Sequence, residues 1–110
     1  TGSLMENYVF TELVKKGLEI KFWRTGAGAE VDFVVKGAPV EVKSSILNSP
    51  LLTKSFFSYL ETYKSSSGYL VNNNFYGKRE VEGKTVYFYP LWAVPRLIKE
   101  RIDPANQGAL

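Results

Sequence analysis

The 110-residue chain contains neither cysteine nor histidine. Without cysteine it forms no disulfide, no thiolate zinc site and no thiol nucleophile. Without histidine it has no imidazole metal ligand and no Ser-His-Asp triad. Any catalysis must therefore use carboxylates, lysine, tyrosine or a hard metal ion held by oxygen atoms.

Long apolar runs are also missing. No stretch approaches the roughly 20 residues that span a bilayer, and no basic start followed by an apolar segment marks a signal peptide. These absences predict a cytoplasmic protein with no membrane partner. The excess of basic over acidic residues is also small, since 14 basic and 11 acidic residues give a net charge of +3. That mild excess permits a phosphate-rich partner without requiring one.

The remaining composition, with 45% hydrophobic and 15% aromatic residues, suits one small domain. We expect that domain over residues 1–102 and a flexible polar tail over residues 103–110. Periodicity predicts a helix over 3–16, ended by Gly17, and strands over 18–24, 30–35 and 39–43. A second helix, started by Ser49-Pro50, runs to about Tyr63, followed by strands over 68–71 and 84–89 and a helix over 90–101. This order predicts an α/β fold with a mixed sheet flanked by helices.

Polar side chains recur on one predicted face of the second and third strands. Because side chains alternate across a strand, Asp32 shares a face with Val34, and Glu41 shares one with Lys43. A two-residue loop at Gly37-Ala38 would put Asp32 opposite Lys43 and diagonal to Glu41, where two carboxylates can hold one ion. An ordinary hairpin with one solvated face and a cross-strand Asp–Lys pair is the commoner origin of such a pattern.

Glu6 has two interpretations. It points in nearly the same direction as the apolar residues Val9, Phe10 and Leu13 of the first helix, where a carboxylate needs a partner. It also lies three residues after Ser3, which is the spacing of a capping box. Both roles stay open, and one does not exclude the other.

The motif as a whole resembles that of a known superfamily. Asp32, followed after eight residues by Glu41-Val42-Lys43, is similar to the D-(x)n-(D/E)-x-K signature of the PD-(D/E)XK nucleases. The predicted order of elements is similar to their restriction-endonuclease-like αβββαβ core, although Val31 replaces the proline of the family name. Residues 2–9, 30–34 and 40–45 also resemble the uncharacterised C-terminal domain of a class of prokaryotic AAA-type ATPases.

The resemblance implies a function and its residues. Asp32, Glu41 and the Val42 carbonyl would hold Mg²⁺ or Mn²⁺, and Lys43 would assist hydrolysis of a DNA phosphodiester. By position, Glu6 would complete the site. The N-terminal ATPase region of the same full-length protein would be a partner. Flanking basic residues would contact phosphate: Lys15, Lys21, Arg24, Lys36 and Lys54.

Other functions are compatible with the same residues. The domain would serve equally as a non-catalytic interaction or nucleic-acid-binding module that regulates its ATPase. A structural oligomerisation domain is the third hypothesis, in which a homodimer covers exposed apolar surface. Trp23 and Trp92 are predicted to be core or interface residues.

Overall fold

The computed structural model describes residues 2–28, 30–47 and 49–104. Alternating and helical apolar patterns produce three helical regions and six strands in these ranges. The elements are α1 (Gly2–Lys15), β1 (Ile20–Arg24), β2 (Glu30–Val35), β3 (Ala38–Val42), α2 (Lys54–Thr62), β4 (Ser67–Asn72), β5 (Gly77–Val81), β6 (Lys84–Pro90) and a C-terminal helical region. That region comprises a 3-10 turn (Leu91–Ala93), α3 (Val94–Leu97) and a π turn (Ile98–Ile102).

The strands form one six-stranded mixed sheet in the order β1-β2-β3-β4-β6-β5. β3, β4 and β6 run parallel to one another, and the β1-β2, β2-β3 and β5-β6 pairs are antiparallel. The predicted α/β class with a mixed sheet and flanking helices is confirmed. The order from α1 to β4 is αβββαβ, and the parallel strands place their carboxyl ends at one edge of the sheet.

Each face of the sheet is covered by a different helical layer. On one face, Val9 and Leu13 of α1 pack with Leu97 and Ile98 against buried strand residues such as Val40. On the other face, α2 covers the sheet, and its cluster comprises Leu47, Phe56, Leu60, Leu70, Val86 and Phe88. Burial of these apolar side chains supplies the main driving force for folding. The β2-β3 hairpin thus lies between α1 and α2.

The β2-β3 turn differs from the predicted Gly37-Ala38 loop. Its two central residues are Lys36 and Gly37, with φ of 51° and 79°, and Val35 pairs with Ala38. A two-residue hairpin of this type needs positive φ at both central positions, which alanine tolerates poorly and glycine accepts. The register therefore moves by two residues. The last paired residues are Phe33 and Val40, so Asp32 and Glu41 are the residues that follow on the two strands beyond the pairing.

Two predicted helix starts are wrong. Ser3 lies inside α1, so it is not an N-cap residue. α2 begins at Lys54 and not after Ser49, because Thr53 has the extended backbone of an N-cap and its hydroxyl accepts a hydrogen bond from the Phe56 N–H. The predicted end of α1 is confirmed, since Gly17 has φ of 75° and its N–H donates to the Val14 carbonyl.

The end of the described chain is tied to the hairpin turn. Asp103, the first residue of the predicted tail, is buried and accepts a 2.6 Å ion-pair hydrogen bond from Lys36. The rest of that tail from residue 105 lies outside the described residues. Among the described helices, none has both the length and the apolar character required to span a membrane.

Candidate metal and phosphodiester site

A β-bulge in β2 aims the Asp32 side chain. Lys21 pairs with Val34 and Trp23 pairs with Val31, so β1 advances two residues while β2 advances three. The extra residue interrupts the alternation, and Val31 and Val34 both join an apolar cluster under α2. Bulges commonly redirect a side chain next to a functional site. Here the redirected segment contains Asp32.

The Asp32 carboxylate accepts a hydrogen bond from β3 in place of a β2 backbone carbonyl. Its Oδ2 accepts a 2.7 Å hydrogen bond from the Val42 backbone N–H. The next N–H, that of Lys43, points the opposite way and donates to the Val71 carbonyl of β4. Since the N–H and C=O of one strand residue point to the same side, the Val42 carbonyl also lies on the Asp32 side of β3.

Glu41 is a buried carboxylate with one polar partner. Its side chain belongs to a residue that is only 7% exposed, and its Oε2 accepts a 2.8 Å hydrogen bond from the Thr53 hydroxyl. Thr53 therefore caps α2 and holds Glu41 at the same time. Among the described residues, no lysine or arginine forms an ion pair with Glu41 or Asp32. Such a pair of desolvated acids is costly unless something positive lies between them.

The acidic groups influence one another. Burial raises the pKa of Glu41, the Thr53 hydrogen bond lowers it, and the negative charge of Asp32 raises it again. Burial likewise raises the pKa of Asp32, while the Val42 N–H and the positive charge of Lys43 lower it. Groups with strongly desolvated, mutually repelling charges cluster at functional sites.

Glu6 lies on α1, which packs on one face of the sheet. Burial raises the pKa of Glu6, and the charges of Asp32 and Glu30 raise it further. Its carboxylate therefore feels the hairpin acids across the helix–sheet interface. Asp32 thus interacts electrostatically with Glu6 on α1, and with Glu41 and Lys43 on the hairpin. Glu41 itself bonds to the N-cap of α2, on the other face of the sheet from α1.

The available ligand atoms suit a hard divalent cation. The site offers two carboxylates, from Asp32 and Glu41, and the Val42 carbonyl, all of which are oxygen donors. Each carboxylate uses one oxygen for a hydrogen bond within the protein and keeps the other. In the described ranges, no group of three or more acidic side chains is placed to hold a metal ion. Water or substrate oxygens would complete the coordination of a bound cation.

The flanking basic residues divide into two groups. Lys15 pairs with Glu12, and Arg24 pairs with Glu30 at 3.2 Å. Lys36 is held by Asp103, as described above. The other two predicted phosphate contacts, Lys21 and Lys54, are exposed.

Sequence reasoning missed several residues that support the site. Thr53 is the clearest, because its contact with Glu41 spans 12 positions and the stronger Ser-Pro signal upstream drew the predicted helix start. After β4, Asn74 exchanges two hydrogen bonds with the Leu47 backbone, at 2.8 and 2.7 Å, and the Asn73 amide donates to the Ser44 carbonyl. These asparagines anchor the segment that follows Lys43.

Comparison with known proteins adds one relationship. The sequence profile of a family described as a domain of unknown function, DUF4143, matches residues 1–94. The chain belongs to the DUF4143 family. DUF4143 domains are commonly found at the C-terminus of AAA-type ATPases, in agreement with the ATPase-linked resemblance in the sequence. No curated protein and no solved structure matches this DUF4143 chain significantly.

Proposed function

We propose that this DUF4143 domain is a divalent-cation-dependent phosphodiesterase that acts on DNA, with its site at Asp32, Glu41, Lys43 and Glu6. The observation that carries the proposal is the desolvated pair Asp32 and Glu41, which has no ion-pair partner among the residues that the structure describes. A folded protein retains such a pair at a cost in stability, and a bound cation would offset that cost. The αβββαβ order and the resemblance to PD-(D/E)XK nucleases support the same assignment.

Each residue has a distinct role in this proposal. Asp32, Glu41 and the Val42 carbonyl would hold Mg²⁺ or Mn²⁺, and the cation would supply charge neutralisation at a phosphate and would make a nearby water more acidic. Lys43 stabilises the negative charge that develops on the phosphate oxygens. Glu6 accepts a hydrogen bond from the attacking water. In the reaction, a water oxygen bonds to phosphorus and the P–O bond to the leaving oxygen breaks. One proton of that water passes to Glu6 and on to solvent, solvent returns a proton to the leaving oxygen, and the other water proton stays on the phosphate product.

A paired measurement of cation binding and DNA cleavage tests this function. Calorimetric titration with Mn²⁺ should detect binding by the intact chain and by Lys43→Ala, but not by Asp32→Ala. Cleavage of branched and duplex DNA should be lost in both variants, since one lacks a ligand and the other lacks charge stabilisation. The exposed Glu80→Gln variant controls for the loss of one negative charge. Cleavage that survives Asp32→Ala, or no Mn²⁺ binding at millimolar concentration, would contradict the proposal.

A non-catalytic role is the second candidate. It is favoured because the described residues include no group of three or more acidic side chains placed to hold a metal ion. In that case the domain regulates its ATPase through protein contacts or holds nucleic acid without cutting it. Under either function, the ATPase region is the expected partner in the same protein. A homodimer and a cytoplasmic location stay predictions.

A further inference from the structure

An exposed pair of aromatic rings lies at the carboxyl edge of the sheet. Trp92 follows β6 and is 70% exposed, so of its two predicted roles, core or interface, the core role is excluded and the interface role stays a prediction. Tyr76 precedes β5, is 45% exposed, and its ring centroid lies 6.5 Å from that of Trp92. The Tyr76 ring is fixed from below by Tyr89, 4.9 Å away. We call Tyr76 and Trp92 the aromatic platform.

Cationic side chains lie beside the aromatic platform, and one of them, Arg96, also pairs with Glu100 at 3.3 Å. The Arg96 guanidinium lies 5.7 Å from the centre of the Tyr76 ring, and the Arg101 guanidinium lies 4.0 Å from that of Tyr87. A cavity of about 230 Å³ beside Tyr76 is lined by Lys78 and Arg101 against one acid, Glu100. Flat ring faces next to cations are the two features with which proteins hold unpaired nucleotides.

The sheet register relates the aromatic platform to the candidate site. Val42, Val71 and Tyr89 form one row across the parallel strands β3, β4 and β6. Adjacent strands are roughly 4.8 Å apart, so the backbone at Val42 and that at Tyr89 are separated by roughly 10 Å. Trp92 lies three residues beyond Tyr89, in the 3-10 turn that follows β6. A single strand of roughly 4–16 nucleotides, the length that one small OB-fold domain contacts, is longer than this separation.

From this arrangement we propose that the aromatic platform stacks with unpaired bases of a DNA strand whose phosphate reaches Lys43. The inference rests on the proposed function for the position of the scissile phosphate. Its substrate class is therefore DNA with a single-stranded portion, such as a flap, a fork or a frayed end. The phosphates on either side meet Lys78 and Arg96, and the bases meet the rings of Tyr76 and Trp92.

Fluorescence anisotropy with a labelled oligothymidylate of roughly ten nucleotides tests the stacking, with EDTA present so that nothing is cut. Trp92→Ala should weaken binding roughly 5- to 100-fold, the range for one lost base–aromatic contact. Phe22→Ala is the matched control, because Phe22 is 67% exposed on β1 at the far edge of the sheet. It should leave the affinity within about twofold. Trp92→Phe should recover most of the loss, and a duplex of equal length should bind more weakly.

Several results would overturn the inference. Equal affinity of Trp92→Ala and the intact chain would exclude stacking on that ring, and equal affinity for duplex would reduce the contact to phosphates alone. Self-association of the intact chain, abolished by Trp92→Ala and accompanied by no DNA binding, would make the aromatic platform a protein interface. Asp32→Asn separates the two proposals. If the intact chain binds DNA but does not cleave it, only the phosphodiesterase proposal is contradicted. If Trp92→Ala cleaves DNA as well as the intact chain does, only the stacking proposal is contradicted.

Discussion

Replacing Glu41 by glutamine should change the stability of the chain in opposite directions with and without a divalent cation. In the absence of cation, Glu41 is a buried carboxylate that faces Asp32. Burying a charge costs several kcal/mol even after relaxation, whereas the charged hydrogen bond from Thr53 is worth only about 1 kcal/mol more than a neutral one. A glutamine amide keeps that hydrogen bond through its oxygen. We therefore expect Glu41→Gln to raise the free energy of unfolding by about 1–2 kcal/mol.

With cation present, the order should reverse. At a free cation concentration 100 times its dissociation constant, the intact chain gains about 2.7 kcal/mol, and Glu41→Gln gains little because a ligand charge is gone. For a domain of this size, about 4 °C of melting temperature corresponds to 1 kcal/mol. Circular dichroism melts should thus show the variant about 4–8 °C above the intact chain in EDTA and below it in excess Mg²⁺.

The pH dependence checks the cause of this difference. The folded pKa of Glu41 is raised above its ordinary value of 4.5, so below that value both states are protonated and no penalty exists. The penalty develops as the pH rises through the raised pKa and is complete above it. Cation-free stability should therefore fall as the pH rises through this window, and Glu41→Gln should flatten the fall. A variant that melts below the intact chain in EDTA, while Glu80→Gln is unchanged, would refute the reasoning.

Two further substitutions test the frame around the site. Gly68→Ala should lower the free energy of unfolding by about 1–3 kcal/mol in urea titrations, because an added Cβ would lie 2.6 Å from the ring of the fully buried Phe56. Gly26→Ala, where a Cβ meets nothing within 4 Å, should change it by less than about 0.5 kcal/mol, and equal effects would refute the packing argument. Thr53→Val should cost about 1–2 kcal/mol through the lost helix cap and raise the pKa of Glu41 further, whereas Thr53→Ser should restore both in thermal melts and pH titrations.

Local sequence patterns predicted the bounds of those elements for which only one start or stop signal was present. β2 was predicted with its observed limits, because Gly28 and Gly37 lie two positions outside the two ends of EVDFVV. Gly17 ended α1 as expected. The start of α2 was misplaced because Ser49-Pro50 and Thr53 both resemble N-termini, and only the contact of Thr53 with Glu41 decides between them. β5 was missed because GKREV is an edge strand whose polar residues show no clear apolar alternation.

The candidate site was predicted as a set of residues, but its geometry was not. The motif placed Asp32, Glu41 and Lys43 on one hairpin, and the register error at Gly37-Ala38 left their faces unchanged. Neither the bulge in β2 nor the approach of Glu6 to Asp32 has a local signal, since both depend on packing between elements.

The bulge divides the β2-β3 hairpin into a segment that tolerates insertions and one that does not. Residues added at the Lys36-Gly37 turn would lengthen an exposed loop and leave the pairing of Phe33 with Val40 in place. A residue added or removed between Val31 and Val34 would instead cancel or double the bulge and turn the Asp32 side chain away from the Val42 N–H. In this chain, the spacing of the two acids is therefore less constrained at the turn than in the β2 segment around Asp32, whose length sets the direction of that side chain.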